Sequence, residues 1–369
     1  MYPRLLTFLR CPACNGSMRL EPLVATPDGS DGEVSEGLLQ CDGAHVFPVV
    51  RGVPRLLPDS LSEHLPALRA LPLDGAGASA KQLMGELTAG QPRFDYDERT
   101  RASFSSEWEH HQVGDKTWGM DLDHRVETFF VSSIGIPKDE LAGKVMLDAG
   151  CGNGSQSVAY TAFGLEVIAV DLSSGLEHGQ AFRHRYPNAR PDQVHFIQAD
   201  LQRPPLAHGS VDIIHSAGVL HHTPSTERTF RALRPLLRPG GTFYVWLYKH
   251  ERFVTPLVNA IRRGTVRLPA PAFDRLARAG ALPFRAFCAL TTRTGLRTYP
   301  EISQREAALA LTDIFGVPYA HPHSFPEVRE WFQSEGFDEP WPCNESRRGF
   351  GICGRLPDAD GDATAAGRT

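Results

Sequence analysis

Val145-Met146-Leu147-Asp148-Ala149-Gly150-Cys151-Gly152-Asn153-Gly154 is the stretch whose reading decides the fold. A short apolar strand runs into a turn with glycine at three alternate positions, and a helix-like segment follows from Ser155. Glycines at the carboxyl end of a strand let a ligand approach the backbone, and the amino end of the next helix favours negative charge. A dinucleotide fingerprint would require its third glycine at position 155, where this chain has Ser155.

Further strands follow in order. Leu165 to Val170 reads as a second buried strand ending in Asp171, placed where an acid accepts hydrogen bonds from ribose hydroxyls. Val194 to Gln198 is a third strand leading to Ala199, Asp200 and Leu201. Val211 to Ser216 is a fourth, leading to Ala217-Gly218-Val219-Leu220-His221-His222-Thr223-Pro224. Leu233-Arg234-Pro235-Leu236-Leu237-Arg238-Pro239-Gly240-Gly241 ends a helix and turns into a fifth strand, Thr242 to Leu247.

This series resembles the class I S-adenosylmethionine-dependent methyltransferases, in particular the branch with a Gly-Val-Leu-His-His loop after strand four and an Arg-Pro-Gly-Gly turn. It does so motif by motif from Leu141 to Tyr248, and more loosely to Pro357. The resemblance implies an α/β, Rossmann-like fold with a seven-stranded, mostly parallel sheet and an antiparallel final strand at Gly349 to Arg355. It implies S-adenosylmethionine rather than NAD across the strand ends, held by Asp148, Gly150, Gly152, Asp171, Leu172, Asp200, Leu201 and Gly218. Ahead of the first strand, Phe104-Ser105-Ser106-Glu107-Trp108 and Thr117-Trp118-Gly119 resemble the cap of these enzymes, with Trp118 or Trp108 either touching the ligands or packing in the core. His221 and His222 lie on the acceptor side as acid/base candidates, His222 ahead of His221; the alternative is that both only shape the loop. Tyr248 and His250 face the expected acceptor space, and His321 and His323 stand near a late turn that would close the site.

The amino terminus carries an independent signal. Cys11-Pro12-Ala13-Cys14 and Cys41-Asp42-Gly43-Ala44-His45 offer Cys11, Cys14, Cys41 and His45 to one tetrahedral zinc. So small a module has little core of its own, so metal binding would supply much of its folding free energy. The segment resembles Trm112-like zinc-ribbon domains through the Cys pair, Phe47-Pro48-Val49-Val50 and Gly52-Val53-Pro54-Arg55-Leu56-Leu57, departing from their four-cysteine pattern at His45.

The chain has 369 residues, 41% of them hydrophobic and 22% charged, as in a soluble globular protein. A net charge of -5 argues against nonspecific polyanion binding. No stretch reaches the apolar length of a membrane span, and Met1 to Arg10 is too short an apolar run for a secretory signal. Seven cysteines, three of them assigned to metal with His45, form no disulfide framework, so a cytoplasmic location is expected. The expected organisation is a zinc ribbon over 1–57, a linker over 58–92 with partial helix and a mobile stretch around Gly75-Ala76-Gly77-Ala78, a catalytic domain over 93–357 and a disordered tail over 358–369. Within the catalytic domain, 251–295 reads as amphipathic helices carrying Phe253, Leu257, Ile261, Phe273, Leu276, Leu282 and Phe287. Such an insertion forms a lid or a homodimer surface; membrane-surface binding ranks lower because its arginines are interspersed.

Ser216-Ala217-Gly218-Val219 replaces the Asn/Asp-Pro-Pro-aromatic motif of base-amine methylation, and no Pro-Cys follows strand four. The expected function is O-, N- or C-methylation of a small molecule, as in natural-product or glycan biosynthesis. The alternative is an RNA or translation-factor methyltransferase whose ribbon recognises the macromolecule.

Overall fold

The computed structural model describes residues 1–24, 32–87, 94–109, 116–117, 119–250, 255–295, 301–346 and 348–359. Two sheets organise it. The first is antiparallel, with β1 (Met18–Pro22), β2 (Gly37–Cys41), β3 (Val46–Val50) and β4 (Val53–Pro54) in sequence order. Two helices, α1 (Ser60–Arg69) and α2 (Ala78–Glu86), follow where the composition suggested a linker. They are packed: Leu61, Leu65, Leu68, Ala80 and Met84 share a core with Leu38 and Val46 of the small sheet. Helix α3 (Glu98–Glu109) and the short α4 (Leu122–Val126) lead into the main sheet.

That sheet holds β5 (Val145–Ala149), β6 (Glu166–Asp171), β7 (Val194–Gln198), β8 (Val211–Ala217), β9 (Leu237–Tyr248), β10 (Trp341–Glu345) and β11 (Gly349–Arg355), in the order β10-β11-β9-β8-β5-β6-β7. Strands β9, β8, β5, β6 and β7 run parallel, and β11 is antiparallel to both its neighbours. The strand period of two sorts side chains onto two cores. Val145, Leu147 and Ala149 face α7 (Thr226–Leu233) and α11 (Phe325–Ser334) through Phe230, Trp331 and Phe332. Met146, Val167 and Ala169 face α5 (Ser155–Tyr160) and α6 (Leu176–Phe182) through Val158 and Leu176. With both faces covered, these strands read as continuous apolar runs.

After β9 come α8 (Thr255–Thr265), α9 (Ala270–Arg293) and α10 (Gln304–Phe315). Ser303 and Ser324 start α10 and α11 with capping boxes closed by Glu306 and Glu327. The small sheet is fastened to the β7 edge: Leu56 donates to the Gln198 carbonyl (2.8 Å), Arg10 to that of Pro205 (2.8 Å) and Ala207 to that of Phe8 (2.8 Å). Buried Arg55 pairs with Glu177 and donates to Gln198 Oε1 (3.2 Å). An edge that would offer unpaired backbone groups is thus covered.

Candidate methyl-transfer site

The strand carboxyl ends of β5, β6, β8 and β9 meet the glycine turn. Gly152 has φ +57°, and a Cβ on it would lie 2.7 Å from the Trp108 indole, so position 152 tolerates no side chain on either count. The Asp171 carboxylate closes the turn: it accepts from Gly152 N (2.8 Å), Ser173 N (2.8 Å) and Ser173 Oγ (2.7 Å). Burial pushes its pKa up in spite of those bonds. Asp148 accepts from Ser157 Oγ at 2.6 Å and lies 3.5 Å from His215 Nδ1, which turns it toward α5 and the neighbouring strand. Leu172 gives its carbonyl to Gln198 (3.1 Å). Asp200 is buried beside Leu201, accepts from Gln202 N (2.9 Å), and is likewise raised by burial. Gly218 has φ +79° and open space where its side chain would be.

Past β8, the expected histidines lie in a buried polar cluster whose centre the sequence reading did not name. His222 Nδ1 donates to the Tyr319 carbonyl (2.8 Å), and its Nε2 lies 3.2 Å from Asp313 Oδ1. Tyr248 donates its hydroxyl to Asp313 Oδ2. Burial alone would raise the Asp313 carboxyl, but the bonds from His222 and Tyr248 outweigh it and hold it below the usual range. Burial and the Asp313 charge push the Tyr248 phenol well up. His221 packs against Tyr248 at 4.0 Å and His222 at 4.2 Å between ring centroids, and neither of its ring nitrogens has a hydrogen-bond partner among the described residues. Burial, then its histidine neighbours, keep it neutral. His321 donates its backbone N–H to the His221 carbonyl (2.9 Å), and His323 sits between Glu327 and Thr226, each at 2.9 Å. His250, by contrast, is exposed beyond the strand and outside this cluster.

Helix α3 lies over the site. Trp108 covers Gly152 and Gly175, since a Cβ on Gly175 would be 2.4 Å from that of Trp108. Glu107 is buried, its Oε2 without a hydrogen-bond partner among the described residues, and burial followed by Asp313 and Asp171 raises its pKa well above the usual carboxylate range. Trp118 lies outside the described residues.

In the small sheet, ligand atoms of Cys11, Cys14, Cys41 and His45 all lie within 4.8 Å of one another. His45 Nδ1 is 3.4 Å from both Cys11 Sγ and Cys41 Sγ, and Cys14 Sγ is 3.6 Å from Cys41 Sγ.

Sheet order, glycine turn and strand-end acids define an α/β methyltransferase domain, and residues 147–245 match the family model described as Methyltransferase domain. This segment belongs to the class I S-adenosylmethionine-dependent methyltransferases. Among curated relatives, the demethylmenaquinone methyltransferase of Clavibacter sepedonicus is 32% identical over 145 residues, 38% of this chain and 55% of that protein. A sterol 24-C-methyltransferase of Gibberella zeae is 29% identical over 136 residues, 35% of this chain and 34% of that protein. The chain spans between 25% and 55% of the length of the first such relatives. Among solved structures, magnesium protoporphyrin IX methyltransferase of Synechocystis PCC 6803 is 14% identical, covering 72% of this chain and 90% of that one with a TM-score of 0.38.

Proposed function

We propose that the chain transfers a methyl group from S-adenosylmethionine to a small-molecule acceptor. The observation that carries this reading is one end of the sheet where the glycine turn, the buried acids Asp171 and Asp200, and the His222–Asp313–Tyr248 cluster converge. The cofactor, when bound, supplies a methyl group activated by a positive sulfur. Gly150 to Gly154, Leu172, Gly218 and the acids Asp171 and Asp200 are the residues that would hold it; buried carboxylates and a glycine-rich turn suit a polar, cationic ligand.

The acid/base assignment rests on hydrogen-bond chemistry. The Tyr319 carbonyl only accepts, so His222 Nδ1 carries a proton and Nε2 is the working position. A 3.2 Å contact between Nε2 and a carboxylate holds one further proton. With that proton released to solvent, Nε2 takes the acceptor's proton into the same position beside Asp313, whose carboxylate stabilises the imidazolium that forms. Tyr248 fixes the second Asp313 oxygen, and His221, unprotonated and packed on both rings, acts as a spacer. The relatives that methylate a demethylmenaquinone and a sterol support a small-molecule acceptor.

The donor set of the small sheet fits zinc: tetrahedral thiolate ligation at ~2.3 Å places neighbouring sulfurs about 3.8 Å apart, and the observed 3.6 Å between Cys14 and Cys41 is close to that.

The test is incubation with methyl-labelled S-adenosylmethionine and lysate, followed by fractionation. Label in small molecules is expected, and label confined to RNA or protein would overturn the acceptor class. With an acceptor hydroxyl in hand, His222→Ala should lower kcat ~100-fold or more and leave cofactor affinity intact. Asp313→Asn should lower kcat and shift the acid limb of the pH profile; an unchanged profile would return Asp313 to a packing role.

A further inference from the structure

The inserted helices carry an outward surface that methyl transfer does not use. Among the described residues, all six exposed large hydrophobics, Ile261, Leu268, Leu276, Leu282, Phe287 and Leu290, lie between positions 261 and 290, and Leu290 is 61% exposed. Helix α9 buries one stripe, Phe273, Ala277, Ala281, Cys288 and Thr291, and packs against α10 and α3. A second apolar stripe runs along another side of the helix at three- and four-residue steps: Leu276, Ala279, Pro283, Phe287 and Leu290, all exposed. Two apolar stripes on one helix exceed what packing against a single body requires.

Charge identifies the occupant. Residues 255–295 hold seven arginines and one aspartate, a net of +6 in a chain whose total is -5. Arg275, Arg278, Arg285 and Arg293 follow one another at steps of three, seven and eight, which gathers arginines interspersed in sequence along one flank of the exposed stripe. Beside them runs a surface groove of about 560 Å³ lined by Leu282, Ala286, Ala289 and Ile302, with Arg285 and Arg293 in its wall and Glu301 its single acid. A symmetric dimer through this face would set each cationic flank against its copy, because an isologous contact pairs a patch with itself. A nucleic acid would neutralise the arginines but leave the aliphatic stripe against water. One surface supplies anionic groups beside an apolar layer.

We propose that α8 and α9 dock on an anionic phospholipid surface, with the Leu276–Leu290 stripe entering the acyl boundary and the arginine flank meeting the headgroups. No helix among the described residues is long and apolar enough to cross a membrane, so the contact is interfacial. The geometry connects this surface to the site: Arg262 of α8 donates to the carbonyls of Ile314 (2.9 Å) and Val317 (2.7 Å), at the end of the helix that carries Asp313.

The experiment is sedimentation of the full chain with vesicles of phosphatidylcholine alone and of phosphatidylcholine mixed with phosphatidylglycerol. Binding to the mixed vesicles should exceed that to neutral ones by about tenfold or more and weaken with salt. Leu276→Glu/Phe287→Glu/Leu290→Glu should abolish it, and Arg275→Gln/Arg293→Gln should reduce it several-fold; melting curves report that both variants, altered only at the surface, remain folded. Absence of vesicle binding overturns the proposal, as does undiminished binding of the folded triple variant. A dimer in solution that the triple variant dissociates, or retention on RNA without retention on vesicles, overturns it in favour of that partner. Methyl-transfer activity is read separately, so a failed transfer assay leaves this result standing on its own.

Discussion

Glu107 and Asp313 bring two carboxyl groups into one buried space, and the environment pushes them in opposite directions: His222 and Tyr248 hold the Asp313 carboxyl below the usual range, while burial and the Asp313 charge push that of Glu107 well above it. A carboxyl whose folded pKa is raised contributes fully below its unfolded value of about 4.5, and its contribution is lost as pH climbs toward the folded value, by up to ~1.4 kcal/mol per pH unit. Glu107→Gln keeps the shape and removes that loss. Its melting temperature should therefore exceed wild type by more at pH 8 than at pH 5; an equal difference at both would show that Glu107 is ionised in the fold. Asp148, Asp171 and Asp200 were legible in the sequence because each lies at or just past the carboxyl end of an apolar strand. Asp313 was not, because its partners come from positions 222 and 248, and nothing in its neighbourhood of the chain points to them. Its one local signal is an acid in a buried helical stripe, with Ala307, Leu309 and Ala310 on the same face.

The parallel strands and the antiparallel β11 follow from apolar runs that both faces bury, and the sequence reading located each of them. Helices α1 and α2 fall where partial helix was expected, but their packing was hidden because their apolar residues are sparse and only contact with β2 and β3 completes a core. Helix α3 shows the same limit: its composition pointed to a cap, and its depth depends on glycines at 152 and 175 that lie far along the chain. The Trp108 ring touches Gly152 where a cofactor would approach the turn, so binding there requires the end of α3 to withdraw. A state that must open lowers apparent affinity by the fraction of molecules already open. Trp108→Ala should thus tighten S-adenosylhomocysteine binding several-fold by calorimetry, with amide exchange in 104–109 accelerating when ligand is added to the wild type. Weaker binding by the variant would mean that the indole stays in place and stacks on the ligand.

Across the whole molecule, the small sheet and the main sheet share one continuous core, with Leu5, Leu9, Phe47 and Leu56 packed among Ile168, Val170 and Ile197. Beyond the Arg55–Glu177 pair, further polar devices brace the small sheet and its seam. Glu166 on β6 is bound by Arg4 (2.5 Å) and His195 (3.2 Å); burial opposes ionisation there, yet these bonds outweigh it and bring its pKa to about 2. A depressed carboxyl contributes above its unfolded value and loses that contribution as pH falls, so the contact should weaken from about pH 4.5 toward 2. Glu166→Gln should flatten the acid branch of the stability curve, and an unaltered branch would assign acid unfolding to other groups. The second device is the Cys11, Cys14, Cys41 and His45 cluster, which ties the segment before β1 to the turn between β2 and β3. If zinc occupies it, purified protein should contain about one zinc per chain, and a strong chelator should lower the melting temperature. The loss should also reach beyond the small sheet. Leu56 N–H donates across the seam to Gln198, so its amide exchange should quicken on chelation, while that of Ile214 in central β8 stays slow. Cys14→Ser tests the same site with little loss of packing, since Cys14 is the exposed member of the four. Full zinc content in that variant, or a chelated protein that melts as before, would show that the small sheet stands on its apolar contacts with β7 alone.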